Sequence, residues 1–158
     1  MKDIKILLVE DDRMLQFVFK RQMQRLGFLV ADVADNGKAA VRKMTTGQFD
    51  IVFMDVALPG MDGIELLQTV RARTDGSWIP SLVFTGSLDE ATQMRALEAG
   101  ADAYLCKPAS REMLHAKLGV ILRLKAMQRQ AEERNRALAH YRSLQEEEQR
   151  LARFVMER

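Results

Sequence analysis

The sequence predicts a doubly wound α/β fold: one five-stranded parallel sheet with helices on both faces, and a fifth helix extended into a long coiled-coil helix. Three observations carry it. Five short apolar runs recur through the first two thirds of the chain, helical spacing fills the intervals between them, and residues 111–158 contain no proline and a single glycine, Gly119.

The apolar runs are "IKILLV" (4–9), "FLVADV" (28–33), "DIVFMD" (50–55), "SLVFT" (81–85) and "AYLCK" (103–107). They are rich in Val, Ile, Leu and Phe with little alternation, the pattern of strands buried on both faces. Between them, Leu15, Val18, Phe19 and Leu26 fall on one face of a helix over 13–26, and Gly27 is its left-handed stop. Ala40, Val41 and Met44 make the stripe over 37–46, and Ile64, Leu67 and Val70 the stripe over 63–73. Met94, Leu97 and Ala91 do the same over 89–99, stopped by Gly100. Strand and helix alternate five times with short connections, which requires right-handed crossovers and a parallel sheet.

Ser110 is a good N-cap for the fifth helix. A continuous helix from there to the last residue would be about 70 Å long, several times an average helix. Val120, Leu124, Met127, Ala131, Arg134, Leu138, Tyr141, Gln145, Glu148, Ala152 and Val155 follow a 4-3 alternation, a heptad seam with some polar positions. Leu144 and Leu151 predict a change of phase near Tyr141. Burying such a stripe calls for a second copy, most simply as a parallel two-stranded coiled coil. The expected division is therefore residues 1–122 as one domain and 123–158 as a dimerisation helix.

The composition excludes several classes. Residues 1–109 carry 13 Lys/Arg against 15 Asp/Glu, and residues 110–158 carry 11 against 7, so the halves differ in character but neither is strongly basic. The extension interleaves acids with bases ("AEERNR", "SLQEEEQR"), unlike a DNA-binding basic region, and DNA binding is not expected. One cysteine, Cys106, excludes an internal disulfide framework and fits a reducing compartment. No signal peptide or membrane-length apolar run is present, so a cytoplasmic protein with no membrane partner is expected. His115 and His140 read as helix surface, and Trp78 as loop packing.

In such sheets, ligands bind beyond the carboxyl ends of the strands. Glu10, Asp11 and Asp12 follow the first run, Asp55 ends the third, Thr85 the fourth and Lys107 the fifth. With strand one central and strand three beside it, these carboxylates, a hydroxyl and an ammonium converge. Clustered carboxylates need a cation. Lys107 supplies one charge, and the all-oxygen donor set favours Mg²⁺, or Mn²⁺, for the remainder. One carboxylate could then attack a phosphoryl donor.

The motifs "VEDD" (9–12), "FMDVALPGMDG" (53–63), "VFTGS" (83–87) and "YLCKP" (104–108) resemble those of the receiver domain of bacterial two-component response regulators. The intervals of 44, 30 and 22 residues from Asp11 to Asp55, Thr85 and Lys107 in turn match that family as well. The resemblance covers roughly residues 3–122. It implies a flavodoxin-like, CheY-like fold in which Asp55 accepts a phosphoryl group from a partner's phosphohistidine, on a sensor histidine kinase or a histidine phosphotransfer protein. It implies that Asp11 and Asp55 hold Mg²⁺ directly, Glu10 through water, and Ala57 through its backbone carbonyl. Thr85 would hydrogen-bond the phosphoryl group and Lys107 would pair with it. Tyr104 would be the aromatic switch, and Pro108 would fix the turn, often through a cis peptide. Short side chains at Ala57 and Ser87 imply slow loss of the phosphoryl group.

Such a protein catalyses its own phosphorylation and dephosphorylation without turning over an external substrate. Two other classes fit less well. A silent receiver would lack an acid or the lysine, and none is missing. An Asp-based hydrolase would want Asp-x-Asp after strand one, which "VEDD" lacks, and Ala57 leaves it no general acid. The extension still reads as amphipathic helix at "LARFVMER", the expected linker to an output domain outside this sequence, of which a Ser/Thr phosphatase, a diguanylate cyclase and a histidine kinase are all compatible.

Overall fold

A computed structural model describes residues 4–73, 79–86 and 89–157. Trp78 and Ser87 lie outside the described residues. The elements alternate β1 (Ile6–Val9), α1 (Arg13–Arg25), β2 (Val30–Ala34), α2 (Gly37–Thr46), β3 (Ile51–Met54), α3 (Gly63–Arg73), β4 (Ser81–Thr85), α4 (Glu90–Glu98), β5 (Ala103–Cys106) and α5 (Arg111–Met156). The strands form one parallel sheet in the order β2-β1-β3-β4-β5, so the chain reverses its direction of winding at β1. Two compact units divide it, Met1–Ile121 and Leu122–Arg158.

Period-2 alternation splits the sheet's side chains between two layers. Leu7, Val9, Val52, Met54 and Val83 pack with Ala40, Met44, Ile64, Leu67, Val70 and Ala96 of α2, α3 and α4. On the other face Phe19 of α1 meets Phe53 at 4.8 Å and Phe84 at 5.8 Å between ring centroids, both tilted. Leu114, Leu118 and Ile121 of α5 are also buried. The central strands β1, β3 and β4 are buried throughout. The expectation of burial on both faces does not hold for β2, where Ala31 and Asp32 are exposed, because β2 is an edge strand.

Two helical stripes differ from expectation. On α1 the residues that meet the core are Phe19 and Met23, whereas Leu15 and Val18 remain 38% and 44% exposed. On α4 only Ala96 is buried, and Met94 and Leu97 face solvent. In both cases hydrophobicity located an apolar side of the helix, and the shape of the opposing surface selected other residues from it. Gly27 and Gly100 take positive φ values of 88° and 105° as they end their helices. Ser110 Oγ accepts a hydrogen bond from Met113 N at 3.1 Å, the predicted cap of α5.

Within the second unit, Leu124, Met127, Leu138, Tyr141, Leu144, Leu151 and Val155 are all exposed. Tyr141 Oη accepts a hydrogen bond from Gln145 Nε2 at 3.2 Å, and Glu132 and Arg136 pair at 3.9 Å across one turn. Among the described residues no helix is long and apolar enough to cross a membrane.

Candidate functional site

Three site residues sit one step beyond a strand, with their backbones held by the neighbouring strand. Glu10 N donates to Ala34 O at 3.0 Å, Asp55 N to Val9 O at 3.1 Å, and Lys107 N to Thr85 O at 2.8 Å. The ladder therefore continues past the side-chain periodicity of each strand and fixes where the carboxylates and the ammonium start. The Lys107–Pro108 peptide is cis.

The acids of "VEDD" take different roles. Asp12 caps α1, its Oδ1 accepting from Met14 N at 2.8 Å and Leu15 N at 3.1 Å. Asp11 is exposed. Glu10 turns inward, is 3% exposed, and its Oε1 lies 2.5 Å from Lys107 Nζ. Lys107 Nζ also reaches Asp55 Oδ2 at 3.0 Å, and Asp55 Oδ1 accepts from Ala57 N at 3.2 Å. The predicted meeting of Lys107 with the acidic cluster is thus present as a bridge from Glu10 to Asp55. Thr85 is buried, its carbonyl accepting from Lys107 N, and Ala57 is exposed. Tyr104 is half-buried and packs on the α2–α4 side of the core.

Two supporting residues were assigned no role from the sequence. Gln16, one turn into α1, donates from Nε2 to Glu10 O at 2.6 Å. Gly63 opens α3 so close to the Asp55 loop that a Cβ there would meet Asp55 O and lie 2.9 Å from Val56 Cα. Its amide donates to Val56 O at 2.8 Å. The "DG" at 62–63 was a visible turn signal, but the close approach it serves is a tertiary fact.

Electrostatics follow from burial. Removal from water pushes the Glu10 carboxyl above its ordinary value; hydrogen bonding to Lys107 offsets part of this, and the charge of Asp55 adds to it. Burial pulls Lys107 down, but the hydrogen bonds and fields of Glu10 and Asp55 outweigh it and hold the ammonium above its ordinary pKa. Burial, together with Cys106, pushes the Tyr104 phenol up to about 12.

Among the described residues, no group of three or more His, Cys, Asp or Glu side chains is gathered as a metal cage. Glu10 and Asp55 are spanned by Lys107, and Asp11 is exposed. The donor chemistry nonetheless fits a hard divalent cation. Two carboxylates share one ammonium, an exposed third carboxylate follows Glu10 in the chain, and all are oxygen donors.

Comparison with known proteins gives the family and the fold. The family model described as "Response regulator receiver domain" matches residues 6–119. The chain is 34% identical over 120 residues to chemotaxis protein CheY-3 of Vibrio cholerae serotype O1, covering 76% of this chain and 92% of that one. A CheY-like receiver domain protein from Methanospirillum hungatei JF-1 superimposes with a TM-score of 0.70 at 27% identity, covering 79% of this chain and 98% of that one. The receiver domain of a sensor histidine kinase from Pseudomonas aeruginosa PAO1, solved with a magnesium ion in its active-site cleft, gives 0.67 at 30% identity, covering 78% and 98%.

Proposed function

The chain belongs to the response regulator receiver domain family, and from that premise we propose that Asp55 accepts a phosphoryl group from a partner phosphohistidine and passes the change to a paired α5. The observation that carries this reading is the bridge from Lys107 to Asp55 and Glu10 at the carboxyl edge of the sheet, with Lys107 N bonded to the carbonyl of buried Thr85.

In the proposed reaction an Asp55 carboxylate oxygen bonds to phosphorus as the P–N bond breaks, and its electron pair leaves with the donor imidazole. Lys107 exchanges its contact with the carboxylate for one with the new phosphoryl oxygens, and the Thr85 hydroxyl donates to another. Asp11, Asp55 and the Ala57 carbonyl would hold Mg²⁺, with Glu10 through water; Mn²⁺ has the same donor preference. When bound, the cation supplies the positive charge that one lysine cannot provide for several carboxylates and a phosphoryl group. The donor is a sensor histidine kinase or a histidine phosphotransfer protein. The chain catalyses its own modification and hydrolysis and turns over no external substrate.

A phosphoryl group adds nearly two negative charges and three acceptors at Asp55. Movement of Thr85 toward it would open space for Tyr104 to turn inward and alter the face built from α4, β5 and the first turns of α5. The exposed seam from Leu124 to Val155 supports a parallel homodimer whose packing responds, conveying the signal to an output domain such as a Ser/Thr phosphatase or a diguanylate cyclase. No DNA or membrane contact by this chain is proposed. Beryllofluoride with Mg²⁺ tests the site. Saturable binding monitored by amide NMR, with shifts at Thr85 and Tyr104, is expected for wild type and not for Asp55→Asn; equal shifts in both would refute the assignment of Asp55.

A further inference from the structure

A cleft of about 410 Å³ lies between the first half of α1 and the β5–α5 connection. Its body is apolar, lined by Leu8, Leu15, Val18, Phe19 and Phe84, and Glu10, Asp55, Lys107 and Gln22 are polar residues of its lining. Ala109 also lines it, joined to Gln22 by a bond from Gln22 Nε2 to Ala109 O at 3.5 Å. The cleft accounts for the unexpected exposure of Leu15 and Val18. Phe19 and Met23 carry the contact of α1 with the sheet, and the two earlier residues line a space that no described side chain of the first unit fills. Its volume is in the usual range for small-molecule sites, about 300–1,000 Å³, and an apolar body with a few polar groups at one end is their usual composition.

The polar end sets the chemistry of the occupant. Two carboxylates face one ammonium, which both already engage, at 2.5 and 3.0 Å. An anionic head would meet two like charges and find Lys107 already engaged. A neutral head would leave the excess negative charge as it is. A cationic head would add the second positive charge, as an N–H donor to carboxylates that are already largely out of water.

We propose that this cleft binds a small primary amine with an apolar tail, its ammonium against the Glu10 and Asp55 carboxylates and its tail among Leu15, Val18, Phe19 and Phe84. Because the head uses carboxylates that a divalent cation would also use, amine and Mg²⁺ oppose one another's binding, and by linkage the opposition is reciprocal. This second statement rests on the phosphoryl-acceptor reading. The binding itself does not.

The test is a titration of metal-free wild-type protein with n-octylamine, n-octanol and n-octanoate, read at the methyl resonances of Leu8, Leu15 and Val18. Saturable shifts are expected with n-octylamine. Its affinity should exceed that of n-octanol by about tenfold or more, the worth of a charge-assisted hydrogen bond, and n-octanoate should bind more weakly still. Val18→Trp, at a partly exposed position, should fill the cleft and weaken the amine by a similar factor with circular dichroism unchanged. Mg²⁺ should raise the apparent Kd of the amine. Three results would overturn the proposal: octanoate binding as tightly as octylamine, no saturable shift of these methyls with any probe, or shifts that follow protein concentration alone, which would place a second copy in the cleft. No arm of the binding titration uses a phosphoryl donor, so its failure leaves the role of Asp55 standing, and a failure of Asp55 to accept phosphate leaves the cleft standing.

Discussion

Lys107 Nζ lies 2.5 Å from Glu10 Oε1, within a pair whose side chains are 17% and 4% exposed. The lysine is therefore a structural cation for a buried carboxylate before it has any role in phosphoryl chemistry. Removing it leaves Glu10 without its cationic partner, the Asp12 amide at 3.5 Å remaining, and breaking a buried pair in this way costs about 3–5 kcal/mol. Lys107→Ala is expected to lose stability on that scale in urea unfolding near neutral pH. The loss should shrink as the solution is acidified, because Glu10 can then fold in its neutral form. Addition of Mg²⁺ should restore part of it. A pH-independent loss would show that the lysine's contribution is packing.

The Glu10 carboxyl gives the second prediction. Its folded pKa is raised above 4.5, first by burial and further by Asp55. A raised carboxyl favours the fold while protonated, so this contribution is complete below pH 4.5 and is lost as pH rises through the folded value. Lys107, also raised, stabilises below 10.5 and loses that contribution only as pH rises through its own folded value. An NMR titration of Glu10 Cδ should have its midpoint above 4.5. Asp55→Asn should move that midpoint down, since one repelling charge is gone, and Lys107→Ala should move it up.

Gly63 is tied to Asp55 by space. A methyl group at this position has nowhere to go without moving the Asp55–Val56 backbone. Gly63→Ala is expected to cost about 1–3 kcal/mol, the usual penalty of overpacking. It should also weaken beryllofluoride binding, though Gly63 carries no chemistry. Unchanged binding with reduced stability would separate the loop's position from the site's competence.

The exposed seam of the second unit gives the fourth prediction. Leu138, Tyr141, Leu144 and Leu151 are exposed, and the proposed partner helix would bury them. Light scattering should find wild type dimeric and Leu138→Glu shifted toward monomer. In a Cys106→Ser background, single cysteines placed along 124–155 should crosslink in a pattern that changes when beryllofluoride and Mg²⁺ are added. Identical patterns with and without it would remove register change as the signal.

These predictions also mark what was legible in the sequence. The strands were visible because residues buried on two faces must be apolar at consecutive positions, as in Ile6–Val9 and Ile51–Met54. The helix ends were visible because Gly27 and Gly100 occupy backbone conformations that disfavour other residues. The meeting of Lys107 with Glu10 and Asp55 followed from strand order, since all three lie just past strand ends. The inner face of α1 was less legible. A helical wheel contains Leu15 and Val18 as readily as Met23, and only the surface opposite decides which of them is covered. The same holds for Ala96, a small residue that packs closely where Met94 and Leu97 were expected. The division of labour within "VEDD" depended on backbone direction, with Asp12 turned to the amides of α1 and Glu10 to Lys107. Spacing alone does not contain that direction.

The most direct test of the central claim is to incubate the protein with a small-molecule phosphoryl donor, acetyl phosphate, with and without Mg²⁺, reduce the product with borohydride, and map the modified residue by mass spectrometry. A phosphoryl acceptor of the proposed kind gives Mg²⁺-dependent modification confined to Asp55 and none in Asp55→Asn. Modification elsewhere at equal yield, or none in wild type under conditions where Mg²⁺ and beryllofluoride bind, would contradict it.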